Sequence, residues 1–239
     1  MEEVNKQIYN LRQGSSLIIN KTLINGVVIK NIQDCVFLLI RCEDEYVGVC
    51  HIDRVNSISS IEDFLKESSK HGIKKITIAG GKEIQNDQKD IESANQIPPE
   101  LREWFLNPGK NTMKIVENNI SKLVLSGVEI KKLEQKGDFY YKCDEDKLQN
   151  SENIEIKPII NHPGDNLTAY TTEERRSFQA TAFEKQLSRI DVMMSVPLSN
   201  ETEWLQNNLT KKPNTAIKQT SVSELNPENQ KTGFSCNII

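Results

Sequence analysis

The chain contains no apolar run approaching the roughly 20 residues that a membrane-spanning helix needs. It has three histidines and no Cys-x-x-Cys pair, which argues against a Cys/His zinc site. The net charge of −4 argues against a general attraction to nucleic acid. The first 16 residues lack the apolar core of a secretory signal, so we expect a cytoplasmic protein with reduced thiols.

Short apolar stretches separated by polar segments fill the first two thirds of the chain. Residues 17–30, 35–41 and 45–52 are rich in Ile, Leu and Val and are predicted strands, the last two joined by the polar turn CEDE as a hairpin. The other predicted elements are a helix over 59–72 with a Ser59–Glu62 capping box, a strand over 73–81, a helix over 111–127, a hairpin over 128–142 and a strand over 153–160. This order predicts an α+β fold, with a layered mixed β-sheet core and flanking helices.

The composition divides the chain into three predicted parts. Residues 1–160 form the core, and residues 161–196 form a C-terminal helical extension whose helix is capped by Thr171 and Glu174. Residues 197–239 are rich in Asn, Thr, Lys and Pro and lack periodic apolar residues, so we expect a disordered tail.

Two residues of the predicted hairpin, Cys35 and His51, have the chemistry of a nucleophile and a base. Cys35 begins one strand and His51 ends the other, so we expect them to be neighbours across the ladder. The imidazole can take the thiol proton, and the thiolate can attack an acyl carbon. Asp53 is a candidate carboxylate for orienting the imidazole. The alternative is that Cys35 is a small packing residue, which is how we interpret Cys42 and Cys50.

The order of these residues resembles the core of the CheD chemoreceptor glutamine deamidases. The resemblance spans about residues 17–158 and rests on NIQDCVFLLIRCEDEYVGVCHID, KITIAGG and MKIVENNISKLVLSGVEI. The His-x-Asp step at His51 also resembles the eukaryotic protein N-terminal asparagine amidohydrolases. The resemblance implies deamidation of a protein glutamine or asparagine side chain. It also implies Cys35 as nucleophile, His51 as general base and acid, and neither a metal nor an organic cofactor.

By the same resemblance, Gly80 and Gly81 form a substrate or oxyanion loop, where the absence of side chains lets backbone approach the substrate. CheD proteins carry a catalytic threonine a few residues before the cysteine, but Ile29 occupies that place here. Asn31 and Gln33 are the alternative polar groups for this third role.

The last four residues, beginning at Cys236, match the C-a-a-X prenylation pattern, although a chance tail cysteine is the alternative. Prenylation implies a eukaryotic prenyltransferase as partner and peripheral attachment to a membrane. CheD proteins are bacterial, so both features together imply an effector that is secreted into a eukaryotic host cell and acts on a host protein.

Three functions are open from the sequence. The first is a cysteine-dependent deamidase. The second is a catalytically inactive CheD-like fold that serves as a membrane-tethered binding module, since the family threonine is missing. The third keeps the thiol chemistry but changes the reaction to proteolysis or acyl transfer.

Overall fold

The computed structural model describes residues 7–81, 86–123, 127–133, 136–150, 159–163 and 167–210. The strands in these ranges are β1 (Ile8–Leu11), β2 (Ser15–Asn20), β3 (Gly26–Ile32), β4 (Val36–Cys42), β5 (Tyr46–Ile52), β6 (Ile73–Gly80), β7 (Glu129–Leu133), β8 (Gly137–Lys142), β9 (Lys147–Asn150), β10 (Ile159–Ile160) and β11 (Ser199–Asn200). The helices are α1 (Ile58–Ser69), α2 (Gln88–Ala94), α3 (Pro99–Leu106), α4 (Pro108–Leu123), α5 (Thr172–Glu184), α6 (Arg189–Met193) and α7 (Thr202–Thr210). This mixture of sheets and helices confirms the predicted α+β class.

The strands form a five-stranded sheet, in the order β10-β1-β3-β8-β9, and a six-stranded sheet, in the order β11-β2-β5-β4-β6-β7. Apolar side chains from both sheets meet in one core, for example Val27 and Phe139 from the smaller sheet and Phe37 from the larger. The opposite face of the six-stranded sheet is covered by α1 and α4, whose Phe64 and Val116 pack there. The fold therefore has three layers, sheet on sheet on helices.

The β4–β5 hairpin forms as predicted, with Val36 opposite Ile52. Helix α1 follows it, but the predicted Ser59–Glu62 capping box is wrong. The N-cap is Ser57, which has an extended backbone and whose hydroxyl accepts a hydrogen bond from the Ser60 N–H at 3.3 Å. Both serines suit the position, and only the backbone conformation distinguishes them.

The predicted hairpin over residues 128–142 is wrong, because its two strands belong to different sheets. Strand β7 pairs in parallel with β6, whereas β8 pairs antiparallel with β3 in the smaller sheet. Burial explains the separation: β8 carries Phe139 and Tyr141 into the core between the sheets, and β7 is mostly exposed. Apolar burial outweighs the weak local preference for a turn.

The predicted tail boundary at residue 197 is wrong for residues 197–210. Residues Ser199–Asn200 extend the six-stranded sheet as β11, and α7 buries Leu205 completely in the core between the sheets. Glu201 is 1% exposed and accepts hydrogen bonds from Arg12 Nε at 2.6 Å and from the Tyr9 hydroxyl at 2.5 Å. A few buried anchors order this segment without any apolar periodicity. Residues 211–239 lie outside the described ranges.

The predicted extension over 161–196 does contain a helix, and the capping box of Thr171 and Glu174 is confirmed. The segment does not form a separate unit, however. Val196 is fully buried, and its carbonyl accepts a hydrogen bond from the Ser57 N–H at 2.7 Å. Residues beyond 160 therefore complete the core.

Candidate active site

Cys35 and His51 lie at the open end of the β4–β5 hairpin, on the face turned towards the core between the sheets. His51 stands directly opposite Phe37 on one side and Ser15 on the other. Continuing the register places Cys35 opposite Asp53, one diagonal step from His51. Diagonal neighbours in an antiparallel ladder are about 7–8 Å apart. Cys35 and His51 therefore share one face of the hairpin, but the residue directly opposite the imidazole is Phe37.

Burial controls the protonation of both groups, since Cys35 is 4% exposed and His51 2%. Burial raises the pKa of the Cys35 thiol well above its usual value; the carboxylates of Asp53 and Asp34 raise it further, and Arg54 opposes them. Burial also lowers the pKa of His51 to about 4, against the opposite influence of Asp53. The resting site at neutral pH is therefore a protonated thiol beside a neutral imidazole.

Neither ring nitrogen of His51 has a hydrogen-bond partner within the described part of the chain. The Cys35 thiol and the imidazole are therefore not hydrogen-bonded in this conformation. A buried polar group without a partner costs free energy, about 1–3 kcal/mol, and such exceptions often have a catalytic explanation. A neutral imidazole with an unoccupied nitrogen is chemically able to accept a proton. Catalytic hydrogen bonds often tighten only when substrate binds.

Asp53 does not orient His51, and that expectation is wrong for this conformation. Its carboxylate accepts a hydrogen bond from the Tyr170 hydroxyl through Oδ2 and one from the Arg54 backbone N–H, at 2.6 Å, through Oδ1. The Asp53 backbone N–H in turn donates to Asn56 Oδ1 at 2.6 Å. The carboxylate is committed to these partners instead of the imidazole.

The double glycine packs against the backbone of Cys35. Gly80 has φ +89°, and a Cβ at this position would lie 2.0 Å from the Cys35 carbonyl oxygen. The Gly81 N–H donates to that same oxygen at 2.9 Å. The glycines therefore position the backbone of the candidate nucleophile, and the Gly81 amide is already committed in place of serving as an open oxyanion donor.

The residues considered for the third catalytic role lie apart from the thiol. Asn31 is exposed, has φ +59° and donates its backbone N–H to Asp138 Oδ1 at 2.8 Å. Gln33 is also exposed, and Ile29 is fully buried between the sheets. Among the described contacts, no hydrogen bond joins Asn31 or Gln33 to Cys35 or His51.

Tyr170 is a residue of this site that the sequence analysis missed. Its ring packs so closely on Gly14 that a Cβ there would lie 2.4 Å from the ring, and the Gly14 N–H donates to the His51 carbonyl at 2.8 Å. Burial, then the neighbouring charges of Asp53 and Cys35, raise the pKa of Tyr170 far above its usual value. No local sequence motif predicts a role for Tyr170, because it reaches the site from a distant part of the chain.

A buried ion pair supports the strand beside His51. The Ser15 hydroxyl, across from His51, donates to the Arg12 carbonyl at 2.6 Å. The Arg12 guanidinium in turn pairs with Glu201. Burial raises the pKa of Glu201, although its hydrogen bonds to Tyr9 and Arg12 act in the opposite direction. The C-terminal segment is thereby tied to the strand that borders the candidate site.

Within the described ranges, no group of three or more His, Cys, Asp or Glu side chains is arranged to hold a metal ion. The helices of those ranges include none that is long and apolar enough to cross a membrane. A comparison with protein-family models finds no match, and neither does a comparison with curated proteins.

Proposed function

We propose that the protein is a cysteine-dependent deamidase that hydrolyses the side-chain amide of a glutamine or asparagine in a protein substrate. One observation carries the proposal: Cys35 and a neutral, unpartnered His51 share one face at the open end of a hairpin. The resemblance of the Cys–hairpin–His–Ala-Gly-Gly order to the CheD deamidases supports this reaction type.

The proposed reaction begins when substrate binding brings the thiol and the imidazole into hydrogen-bond contact. His51 removes the Sγ proton of Cys35, and the sulfur attacks the carboxamide carbon. The C–N bond then breaks as the imidazolium gives its proton to the departing nitrogen, and ammonia leaves. A water molecule, deprotonated by His51, hydrolyses the thioester and regenerates the thiol.

The tetrahedral intermediate carries an oxyanion that needs a hydrogen-bond donor. Because the Gly81 amide is bound to the Cys35 carbonyl, the donor we propose is the backbone N–H of Cys35 itself. The contact of the double glycine with Cys35 then has a mechanistic purpose, since it holds this peptide unit in a defined orientation.

The test is amide conversion in a dialysed eukaryotic cell lysate, with released ammonia as one readout and mass-spectrometric mapping of Gln-to-Glu and Asn-to-Asp changes as the other. We expect conversion by the wild type and none by Cys35→Ala. The matched control is Cys50→Ala, which removes a fully buried thiol from the other face of the same hairpin. Equal conversion by wild type and Cys35→Ala would overturn the proposal.

The pH profile of the conversion tests the role of His51. A base must be neutral to accept the thiol proton, so the rate should decrease as the pH falls towards about 4, where the folded protein protonates His51. A rate that is independent of pH in this range would show that His51 is not the base.

A second candidate is a catalytically inactive fold that serves as a binding module. Two observations favour it: Ile29 is buried where CheD proteins carry a threonine, and Cys35 is almost inaccessible. Under this alternative, wild type and Cys35→Ala behave alike in the conversion assay and have the same effect in eukaryotic cells.

New peptide termini in the lysate would instead indicate proteolysis.

Prenylation of Cys236 stays a prediction, because that residue lies outside the described ranges. A shared membrane would raise the effective concentration of enzyme and substrate without any new contact in the active site. We expect Cys236→Ser to move the protein from membranes to cytosol in eukaryotic cells, measured by fractionation. Persistent membrane attachment of the variant would contradict the prediction.

A further inference from the structure

Residues 167–170, which we call the strap, pass along the backbone of Gln13 and pair with it at Thr168. The Gln13 N–H donates to the Leu167 carbonyl at 3.0 Å, and the Ala169 N–H donates to the Gln13 carbonyl at 2.8 Å. Together they form a parallel bridge between Gln13 and Thr168. Added peptide strands use the same main-chain bonds when they pair with a sheet edge. The strap therefore occupies a position that fits an extended peptide.

The side chain of Tyr170 projects from the strap to the open end of the hairpin. Its ring lies on Gly14, and its hydroxyl donates to Asp53, the residue that the register places across from Cys35. Gly14 has φ +78° and no room for a Cβ, so the close approach of the ring depends on glycine at this position. Cys35, which lies close enough to influence the pKa of Tyr170, is itself buried.

Two features indicate that the strap is removable. Leu167 exposes 77% of its surface, and Thr168 and Ala169 are only half-buried, so the strap buries little apolar surface apart from the Tyr170 ring. Segments of this kind open locally at low free-energy cost. In addition, Nε of Arg175, in the first turn of α5, is buried with no partner among the described residues. A carbonyl group of a bound peptide could satisfy this donor.

We propose that the strap occupies the substrate groove of this site and that an extended peptide segment displaces it. The substrate segment pairs with the backbone of Gln13 and directs a side-chain carboxamide along the path of the Tyr170 side chain to Cys35. This inference rests on the proposed deamidase function and names its substrate class: an extended loop or unfolded segment of a protein.

The first experiment measures the rate at which iodoacetamide alkylates Cys35 in the full-length protein, resolved by peptide mapping. Tyr170→Phe removes a hydrogen bond to a carboxylate, and Tyr170→Ala also removes the covering ring. From the usual strength of such bonds we expect roughly tenfold faster alkylation in Tyr170→Phe and roughly hundredfold in Tyr170→Ala.

The matched control is Tyr46→Ala, which removes a half-buried tyrosine from the other end of β5. Its Cys35 should react at the wild-type rate. An unchanged rate in Tyr170→Ala, or an equal increase in Tyr46→Ala, would overturn the proposal, because the strap would then not be what covers the thiol.

The second experiment adds a synthetic peptide of residues 167–172 that carries Tyr170→Gln to the Tyr170→Ala protein. We expect the peptide to slow Cys35 alkylation back towards the wild-type rate, and a peptide of scrambled order to have no effect. If the peptide does not slow alkylation of the exposed Cys35 thiol, the proposal that this groove binds a peptide is wrong.

Conversion of the peptide glutamine to glutamate, followed by mass spectrometry, separates this inference from the proposed function. Protection with conversion supports both. If the peptide protects Cys35 but is not converted, the groove binds peptides and the deamidase proposal is weakened. If the peptide is converted but does not protect Cys35, only the proposed groove is contradicted.

Discussion

A histidine, an aspartate and a tyrosine lie together at each end of the β4–β5 hairpin, but the two groups make different contacts. At the turn end, His71 Nδ1 and Asp44 Oδ2 form a hydrogen bond of 2.8 Å, and the imidazole stacks on Tyr46 with the ring centroids 4.0 Å apart. Desolvation raises the pKa of Asp44, but hydrogen bonds from the Tyr46 N–H and from His71 together outweigh it and lower this pKa. This group is a partly exposed hydrogen-bonded pair at the surface.

At the open end, the aspartate pairs with the tyrosine and not with the histidine. Asp53 accepts a hydrogen bond from the Tyr170 hydroxyl, and the buried His51 has no partner for either ring nitrogen among the described residues. The same residue types therefore give a partly exposed hydrogen-bonded pair at one end and, among the described residues, an unsatisfied base on the same face as a thiol at the other. Burial and the choice of hydrogen-bond partner, rather than residue type, distinguish the candidate site.

The largest expected effect comes from removing the C-terminal support of the open end by truncation after residue 196. This deletes the contact from the Ser199 N–H to the Gly14 carbonyl, the Glu201 partner of the buried Arg12 ion pair and the buried Leu205. Removing one partner of a buried ion pair costs about 3–5 kcal/mol, and losing a buried leucine costs about 2–5 kcal/mol. The sum is comparable with the whole stability of a typical domain, so we expect an unfolded chain by circular dichroism.

Two variants sharpen this test. A chain that ends at residue 210 retains the contacts described here and should melt at the wild-type temperature. Glu201→Gln keeps the side-chain size but removes the charge that neutralises Arg12, and should destabilise the fold by less than the truncation. A truncation after residue 196 that melts like the wild type would show that the open end needs no C-terminal support.

The second effect is the contribution of the buried His51 imidazole at the open end to the pH dependence of stability. The pKa of His51 falls from 6.5 to about 4 on folding. Between these pH values the unfolded chain binds a proton that the folded protein does not, so the free energy of unfolding decreases as the pH falls. Integrated over this range, the loss is about 3 kcal/mol. Urea titrations of the wild type and His51→Leu at several pH values measure it.

The matched control for this titration is His71→Leu at the turn end. We expect His51→Leu to lose most of this decrease in the free energy of unfolding at low pH, and His71→Leu to retain it. If both variants follow the wild-type curve, burial of His51 does not control acid stability.

A smaller effect is expected from His51→Leu at neutral pH, where we predict a gain in stability. The substitution replaces two unsatisfied nitrogens by apolar atoms in an apolar setting, and we expect about 1 kcal/mol more stability together with loss of amide conversion. Chemical denaturation and the lysate assay measure the two effects. A destabilised variant would indicate that the imidazole has a partner in solution.

The smallest effect is expected at the turn end, from Asp44→Asn. The hydrogen-bonded pair is partly exposed, so its loss should change the free energy of unfolding by less than about 0.5 kcal/mol. A loss of several kcal/mol in a urea titration would remove the contrast between the two ends.

Local pairing was the predictable part of the fold. The apolar runs around CEDE specified the β4–β5 hairpin, and helical spacing of apolar residues that include Phe64 and Val116 specified the helices of the outer layer. The separation of β7 from β8 was not predictable, because it depends on where Phe139 finds a buried surface. The order of residues 197–210 depends on Arg12, at the other end of the chain.

The candidate site divides in the same way. Strand alternation and a short turn determine from sequence alone that Cys35 and His51 lie on one side of the hairpin. That this side faces the inner core, that Asp53 binds Tyr170 rather than the imidazole, and that the thiol is covered were decided only by the tertiary structure. The physical reason is range: register follows from neighbouring residues, whereas burial and hydrogen-bond partners depend on segments that meet only when the whole chain has packed.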